Sequence, residues 1–347
     1  MRSSGKPLEP AFRARAEALI GRPLREAEQV GGGANSRVYR VFDGERHYAL
    51  KLYPRDAGDL RDRLGAELTA LRFLRRHGAH NLPSVVGADA ELRVGVFEWL
   101  DGTPVAEPTE ADIAAALELL ATLHRLRAAE PAESFPPAAE ACLSAGELVG
   151  QVERRFRRLE RPAADHPALA TLLTEEMAPV FAQAKAQAAN RYEAAALAFG
   201  VELSAERRSL SPSDFGFHNA IRRRDGSLAF LDFEYFGWDD PVKPVADFLL
   251  HPGMILTDRQ RRTFAAGAAA IYGADPGYEL RLRALFPLYG LRWCLILLNE
   301  FLPERWARRV EAGGAADRGT VLAGQLAKAR TLLGTVRASI PRFPYEE

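Results

Sequence analysis

Residues 211–221 read SPSDFGFHNAI and, after the turn RRDGS, residues 228–241 read LAFLDFEYFGWDDP. Each run sets its acids beside phenylalanines and other apolar residues, and an acid in such surroundings needs a partner or a task. The alternation around RRDGS predicts two short strands, with Asp214 and Asp232 near strand ends. A loop carboxylate such as Asp214 can orient a hydroxyl and take its proton. A carboxamide five residues on, Asn219, can offer its oxygen to Mg²⁺, and Asp232 would be a second hard oxygen ligand. Taken singly, all three are also what turn caps look like, so the rest of the chain has to decide.

Upstream, VGGGANSRVYRV (30–41) places Gly31, Gly32 and Gly33 together, where absent side chains let backbone N–H groups approach a phosphate chain. Alone, such a cluster is equally a hairpin tip. SRVYRVF and HYALKLY alternate around DGER and predict a hairpin, so Lys51 projects from a half-buried strand. In RDRLGAELTALRFLRRHG (61–78), Leu64, Leu68, Leu71 and Leu74 fall at helical spacing and Gly78 supplies a C-cap. Glu67 on that helix is the natural counter-charge for Lys51, and such a pair can hold an ammonium against the phosphates of ATP. A snorkelling strand lysine and a solvated glutamate fit the same spacing. The three groups of the opening stretches, in order with this lysine, glutamate and glycine cluster, fit one explanation better than six separate ones.

Residues 1–24 read as a lead-in segment with a helix and no chemistry. Residues 25–100 read as a small sheet-containing, nucleotide-binding lobe, and 101–347 as a larger, mainly helical lobe carrying the catalytic and acceptor residues. Lys plus Arg and Asp plus Glu are both 46, which gives no charge excess for nucleic acid or anionic membrane and points to a small-molecule partner. The two cysteines, Cys142 and Cys294, lack metal spacing and fit a reducing compartment. Charged residues break the N-terminal stretch, and Pro287, Arg292, Asn299 and Glu300 interrupt ALFPLYGLRWCLILLNEFLP (284–303). The expectations are therefore no signal peptide, no membrane span, a buried helix there and a cytoplasmic protein.

These motifs resemble the aminoglycoside phosphotransferase and choline kinase family over residues 25–300. The resemblance implies an α+β, protein-kinase-like two-lobed fold and an ATP-dependent kinase that phosphorylates a hydroxyl with Mg²⁺. It implies that Gly31, Gly32, Gly33, Asn35 and Ser36 form the nucleotide loop, with Lys51 on the phosphates and Glu67 as its partner. VFEWLDG would be the hinge, its backbone at Glu98, Trp99 and Leu100 meeting adenine. LATLHRL resembles the family's helix with a structural histidine, here His124. Asp214 matches the catalytic-loop aspartate, and Asn219 and Asp232 the metal ligands. Two residues before its catalytic aspartate the family usually has a scaffold histidine, where this chain has Pro212. After GWDDP the family often carries an aspartate where this chain has Pro244, with Asp247 a turn later.

For the acceptor pocket, LYGLRWCLILLNEF nominates Tyr289, Arg292, Trp293, Asn299 and Glu300, although the same run reads as a core helix. Arg and Lys outnumber Asp and Glu from Arg281 onward, which favours a sugar, polyol or amino alcohol over a polycationic aminoglycoside. Two other classes stay open: a catalytically silent nucleotide-binding scaffold on the same fold, favoured by Pro212, and a protein kinase, disfavoured by the lack of an APE segment.

Overall fold

The computed structural model describes residues 6–32, 36–54, 61–129, 134–311 and 317–346. The chain forms two compact units, one of Met1–Val105 with Asn219–Phe236 and one of Ala106–His218 with Gly237–Glu347. The fold is α+β, an antiparallel sheet in the first unit and mostly helices in the second.

In the first unit, strands β1 (Glu26–Gly32), β2 (Arg37–Phe42), β3 (His47–Leu52), β4 (Val85–Asp89) and β5 (Val94–Glu98) form one antiparallel sheet in the order β1-β2-β3-β5-β4. The expected hairpin is β2–β3, with Val38 opposite Lys51. The lead-in segment contributes α1 (Pro10–Ile20), which starts at a proline and ends at Gly21, whose φ of 78° suits a residue without Cβ. Its Ala16 joins Leu24, Tyr39, Val41, Leu50, Val94 and Val96 in one core, so α1 covers the sheet.

Helix α2 (Arg63–Arg76) begins where the Asp62 side chain accepts from the Gly65 amide, and it buries Leu64, Glu67, Leu71 and Leu74 along one stripe. A small sheet, β6 (Thr103–Pro104) with β8 (Ala220–Arg222) and β9 (Leu228–Phe230), completes this unit. Of the strands expected near 208–232, the pair around RRDGS therefore lies here.

The second unit holds the strand β7 (Ser209–Ser211), paired antiparallel with β10 (Gly237–Asp239). Helix α3 (Glu110–Leu126) opens on a reciprocal cap between Thr109 and Asp112. Helix α4 (Ala145–Asp165) runs through Pro162 and breaks at His166, the interruption expected at ERPAADHP. It is followed by α5 (Pro167–Thr171), a wide turn over Leu172–Met177, and α6 (Ala178–Ala194). The remainder is α7 (Val242–Leu250), α8 (Asp258–Tyr272), α9 (Tyr278–Leu297), α10 (Pro303–Glu311) and α11 (Arg318–Ser339). Helix α9 is the axis on which α4, α6, α7 and α11 pack, so the apolar run at 284–297 is a core helix. Among the described residues no single helix is long and apolar enough to cross a membrane.

Candidate active site

Lys51 is 7 % exposed and faces three carboxylates: its Nζ lies 2.7 Å from Glu67 Oε2, 2.6 Å from Asp232 Oδ1 and 3.0 Å from Glu234 Oε2. The strand period puts Lys51 on the face of β3 opposite Leu50 and Leu52, which join the core with α1, while α2 supplies Glu67 and the turn after β9 delivers the other two. Two of the carboxylates have further partners. Glu67 accepts from the Tyr53 hydroxyl at 2.5 Å, and Glu234 accepts from Arg63 at 2.9 Å and the Ser36 hydroxyl at 3.0 Å.

Burial alone would lower the Lys51 pKa, but Glu67, Asp232 and Glu234 outweigh it and raise it, so the ammonium is charged. Burial, with Glu234 and Glu67 alongside, pushes the Asp232 carboxyl up to about 6 against the pull of Lys51. Glu234 moves the opposite way: Lys51, Arg63 and Ser36 overcome its burial and lower its pKa.

Among the described residues, Lys51 and Arg63 thus face three carboxylates that bring oxygens within 4.8 Å of one another. Asp232 holds this position with φ at 64°, a left-handed backbone that costs a non-glycine residue about 1 kcal/mol. Its side chain keeps 34 % of its surface open. A partly open, hard oxygen donor beside two further carboxylates fits a divalent cation such as Mg²⁺. Asn219 closes a short turn before β8, and its carbonyl accepts from the Leu231 amide at 2.8 Å, which fixes it beside the strand leading to Asp232.

Asp214 belongs to the other unit, on the loop that leaves β7. Its side chain is 39 % exposed, and its Oδ1 lies 2.9 Å from His218 Nε2. The His218 ring stacks on His251 with centroids 4.0 Å apart, and the Trp293 ring meets His251 edge-on at 4.6 Å. His251 Nδ1 accepts from the Gly253 amide at 3.1 Å, and burial, reinforced by His218, lowers its pKa to about 4. It is a neutral imidazole at pH 7. Oxygen and nitrogen atoms of Asp214, His218 and His251 come within 4.8 Å of each other. Parallel stacked rings point their lone pairs side by side rather than at one centre, so this cluster suits a wall flanking a reactive carboxylate better than a metal site.

Of the residues singled out from sequence, Lys51, Glu67 and Asp232 come together, and Asp214 sits on an accessible loop. Gly31 and Gly32 close β1 opposite Val38 and Arg37, after a register shift at Gln29, while Gly33 and Asn35 lie outside the described residues. Ser36 faces Glu234. The Glu98 amide is bonded to the Ser84 carbonyl at 2.8 Å and its carboxylate to the Ser84 hydroxyl at 2.6 Å, so Glu98 is a structural member of the segment. Trp99 donates to Asp101 at 3.1 Å under the Arg40 guanidinium, and Leu100 is partly buried beside it. His124 packs edge-on against Tyr272, as a structural histidine would.

The acceptor nominees divide. Tyr289 is wholly buried, and Arg292, 3 % exposed, donates through one terminal guanidinium nitrogen to both oxygens of Asp247, at 2.7 and 2.8 Å. Both are core residues of α9, not pocket walls, because Asp247 is itself buried and requires that charge. Trp293 is partly exposed and donates to the same Asp247 at 2.8 Å. Glu300 pairs with Arg309 at 3.1 Å, and Asn299 is partly exposed beside it.

Sequence reasoning missed Glu234, Lys243 and His251. For Glu234 a signal existed, since the spacing in DFE leaves a second acid two residues from Asp232. Nothing local marks the other two.

The sequence profile of the phosphotransferase enzyme family matches residues 26–285. No curated protein matches the chain in sequence. Among solved structures, the chain is similar to aminoglycoside phosphotransferase APH(2″)-Ib with ADP bound, at 18 % identity and a TM-score of 0.60 over 96 % of this chain and 99 % of that one. It is similar to spectinomycin phosphotransferase APH(9)-Ia in complex with ADP and spectinomycin, at 11 % identity and 0.62 over 94 % and 99 %. It is also similar to choline kinase LicA from Streptococcus pneumoniae, at 16 % identity and 0.56 over 94 % and 98 %. At these identities the likeness is one of fold.

Proposed function

The chain belongs to the phosphotransferase enzyme family, and from that premise we propose that it transfers the γ-phosphoryl group of ATP to a hydroxyl of a small metabolite, a sugar or polyol before an aminoglycoside. The observation that carries this reading is the Lys51 ammonium caged by Glu67, Asp232 and Glu234 in a chain that also presents Asp214 on an open loop. The nucleotides bound in the structural relatives support a nucleoside triphosphate donor.

In this reading Lys51, kept charged and oriented by Glu67, meets the donor's α- and β-phosphates. The acceptor hydroxyl donates to Asp214, which takes its proton as the oxygen attacks phosphorus in line. Asn219 and Asp232 would hold Mg²⁺, which supplies charge neutralisation on the phosphates when bound. With the Glu98 amide and carboxylate on Ser84, adenine recognition falls to the Glu98 carbonyl and the backbone of Trp99 and Leu100, and phosphate contact to the 31–36 segment. His218, bonded to Asp214, fixes the rotamer of the base, and with Trp293 and neutral His251 it offers an aromatic surface to a sugar or polyol.

The acceptor class rests on charge. A cavity of about 420 Å³ in the second unit is lined by Arg154, Arg155 and Arg158 against only Glu140 and Glu147. Its wall at residues 138–141 is tied to the Asp214 loop, because the Ser213 hydroxyl donates to the Ala139 carbonyl at 2.6 Å. Arg155 is paired with Glu140 at 2.9 Å and Arg158 with Glu304 at 3.0 Å, so these walls offer no surplus of carboxylates to hold a polycation. The test is ATP consumption with Mg²⁺ across sugars, polyols, amino alcohols and aminoglycosides. Turnover with neutral acceptors supports the reading, and turnover restricted to aminoglycosides refutes the acceptor class.

A further inference from the structure

We propose that Lys243 is the positioning residue for Asp214, taking over the scaffold task that Pro212 cannot perform. The inference rests on the role of Asp214 proposed above. Lys243 lies on the first turn of α7, is only 2 % exposed, and spends its ammonium on the residue just before the aspartate. Its Nζ donates to the Ser213 hydroxyl at 2.9 Å and to the Ser213 carbonyl at 3.2 Å.

Ser213 is the kink of the loop, with φ at 67° in the left-handed region that a side chain disfavours. Every polar group it owns is held: its amide donates to the Ser211 hydroxyl at 3.0 Å, and its own hydroxyl donates to Ala139 at 2.6 Å while accepting from Lys243. A backbone in that conformation persists where its surroundings over-determine it, and Lys243 supplies two of those restraints.

The charge is balanced locally. Asp239 Oδ2 lies 3.5 Å and Asp247 Oδ2 3.4 Å from the same nitrogen, and Asp247 is shared with Arg292 and Trp293. An ammonium on a long stem meets four acceptors spread around it. Proline at 212 has no side-chain donor to offer, and its own carbonyl instead accepts from the Asp214 amide at 2.9 Å, which tightens the turn. The anchoring donor therefore comes from a distant element rather than from the loop itself.

The test compares wild type with Lys243→Met, with Asp239→Asn/Lys243→Met, which keeps the buried charge balanced, and with Ser213→Ala, which removes only the hydroxyl. Two readouts are taken: the steady-state kinetics of acceptor phosphorylation, and hydrogen exchange of the amides from Ser213 to Phe217. The expected result for the double variant is a kcat lowered 30-fold or more, an affinity for Mg·ATP within threefold of wild type, and exchange of the loop amides at least tenfold faster. Ser213→Ala falls between this and wild type. A folded double variant that keeps its kcat within threefold, or whose loop amides exchange at the wild-type rate, overturns the proposal. Were wild type to phosphorylate no acceptor, the proposed transfer would fail, and the exchange rates would still decide the Lys243 anchor.

Discussion

A lysine surrounded by three acids is stable only while the count is kept. Glu234 is the most enclosed of the three, with Arg63, Lys51 and Ser36 all on its two oxygens. Glu234→Ala removes one carboxylate from both the buried Lys51 ammonium and the buried Arg63 guanidinium, and the expected loss is about 3 kcal/mol of unfolding free energy in urea. A loss below about 1 kcal/mol would mean that Arg63 finds water instead. His251 gives a pH signature. Its imidazole is neutral in the fold with a pKa near 4, against 6.5 when unfolded, so the unfolded chain binds the proton first. Its contribution to stability is complete above pH 6.5 and is lost as pH falls from 6.5 to 4, by at most about 1.4 kcal/mol per unit. His251→Asn should flatten that slope in denaturant titrations from pH 4 to 7; an unchanged slope would place the acid sensitivity elsewhere. At this scale the sequence was informative where chemistry is local: Lys51, Glu67, Asp214 and Asp232 could be chosen because a charge in an apolar run is anomalous. Lys243 and His251 escaped because their meaning lies in partners 30 and 33 residues away.

Elements place these groups through ordinary rules of capping and strand register. The alternation of SRVYRVF and HYALKLY was enough to predict β2 and β3 and to put Lys51 on a half-buried strand. Leucine spacing was enough for α2 and therefore for Glu67. The edge strand β1 was less legible, because its pairing with β2 carries a register shift beside the glycines. The acceptor nominees on α9 failed for Tyr289 and Arg292 because an all-round apolar helix has no face that sequence can assign to a pocket. One element-scale prediction concerns β10. A Cβ on Gly237 would lie 2.6 Å from the Ala138 amide nitrogen and closer still to the Pro136 carbonyl, both backbone atoms that cannot swing aside. Gly237→Ala should destabilise the protein by 2 kcal/mol or more in thermal or urea unfolding, on the order of the cost of overpacking. It should also reduce turnover, since the displaced segment carries the Ala139 carbonyl that holds Ser213. Wild-type stability in that variant would contradict the close approach of the two segments.

For the whole molecule, the switch between period-two and helical patterns puts the expected boundary between residues 100 and 101, and the compact units divide at Val105 and Ala106. That residues 219–236 group with the first unit was not legible, because nothing in a linear reading says which body a short hairpin joins. The account makes Mg²⁺ and ATP joint ligands of the native state. At a concentration 100 times the dissociation constant they should stabilise it by about 2.7 kcal/mol. Chelation should weaken that effect, and Asp232→Ala should remove its metal dependence; an equal ATP effect with and without metal in wild type would contradict the ligand assignment. The central claim, that Asp214 deprotonates an acceptor hydroxyl during phosphoryl transfer, is tested most directly by ATP consumption with Mg²⁺ over the acceptor panel, running Asp214→Asn beside wild type. The account predicts acceptor-dependent turnover that falls by a factor of roughly 10² to 10⁴ in the variant while Mg·ATP still binds. Tight Mg·ATP binding without turnover on any hydroxyl, or a variant as active as wild type, would contradict it.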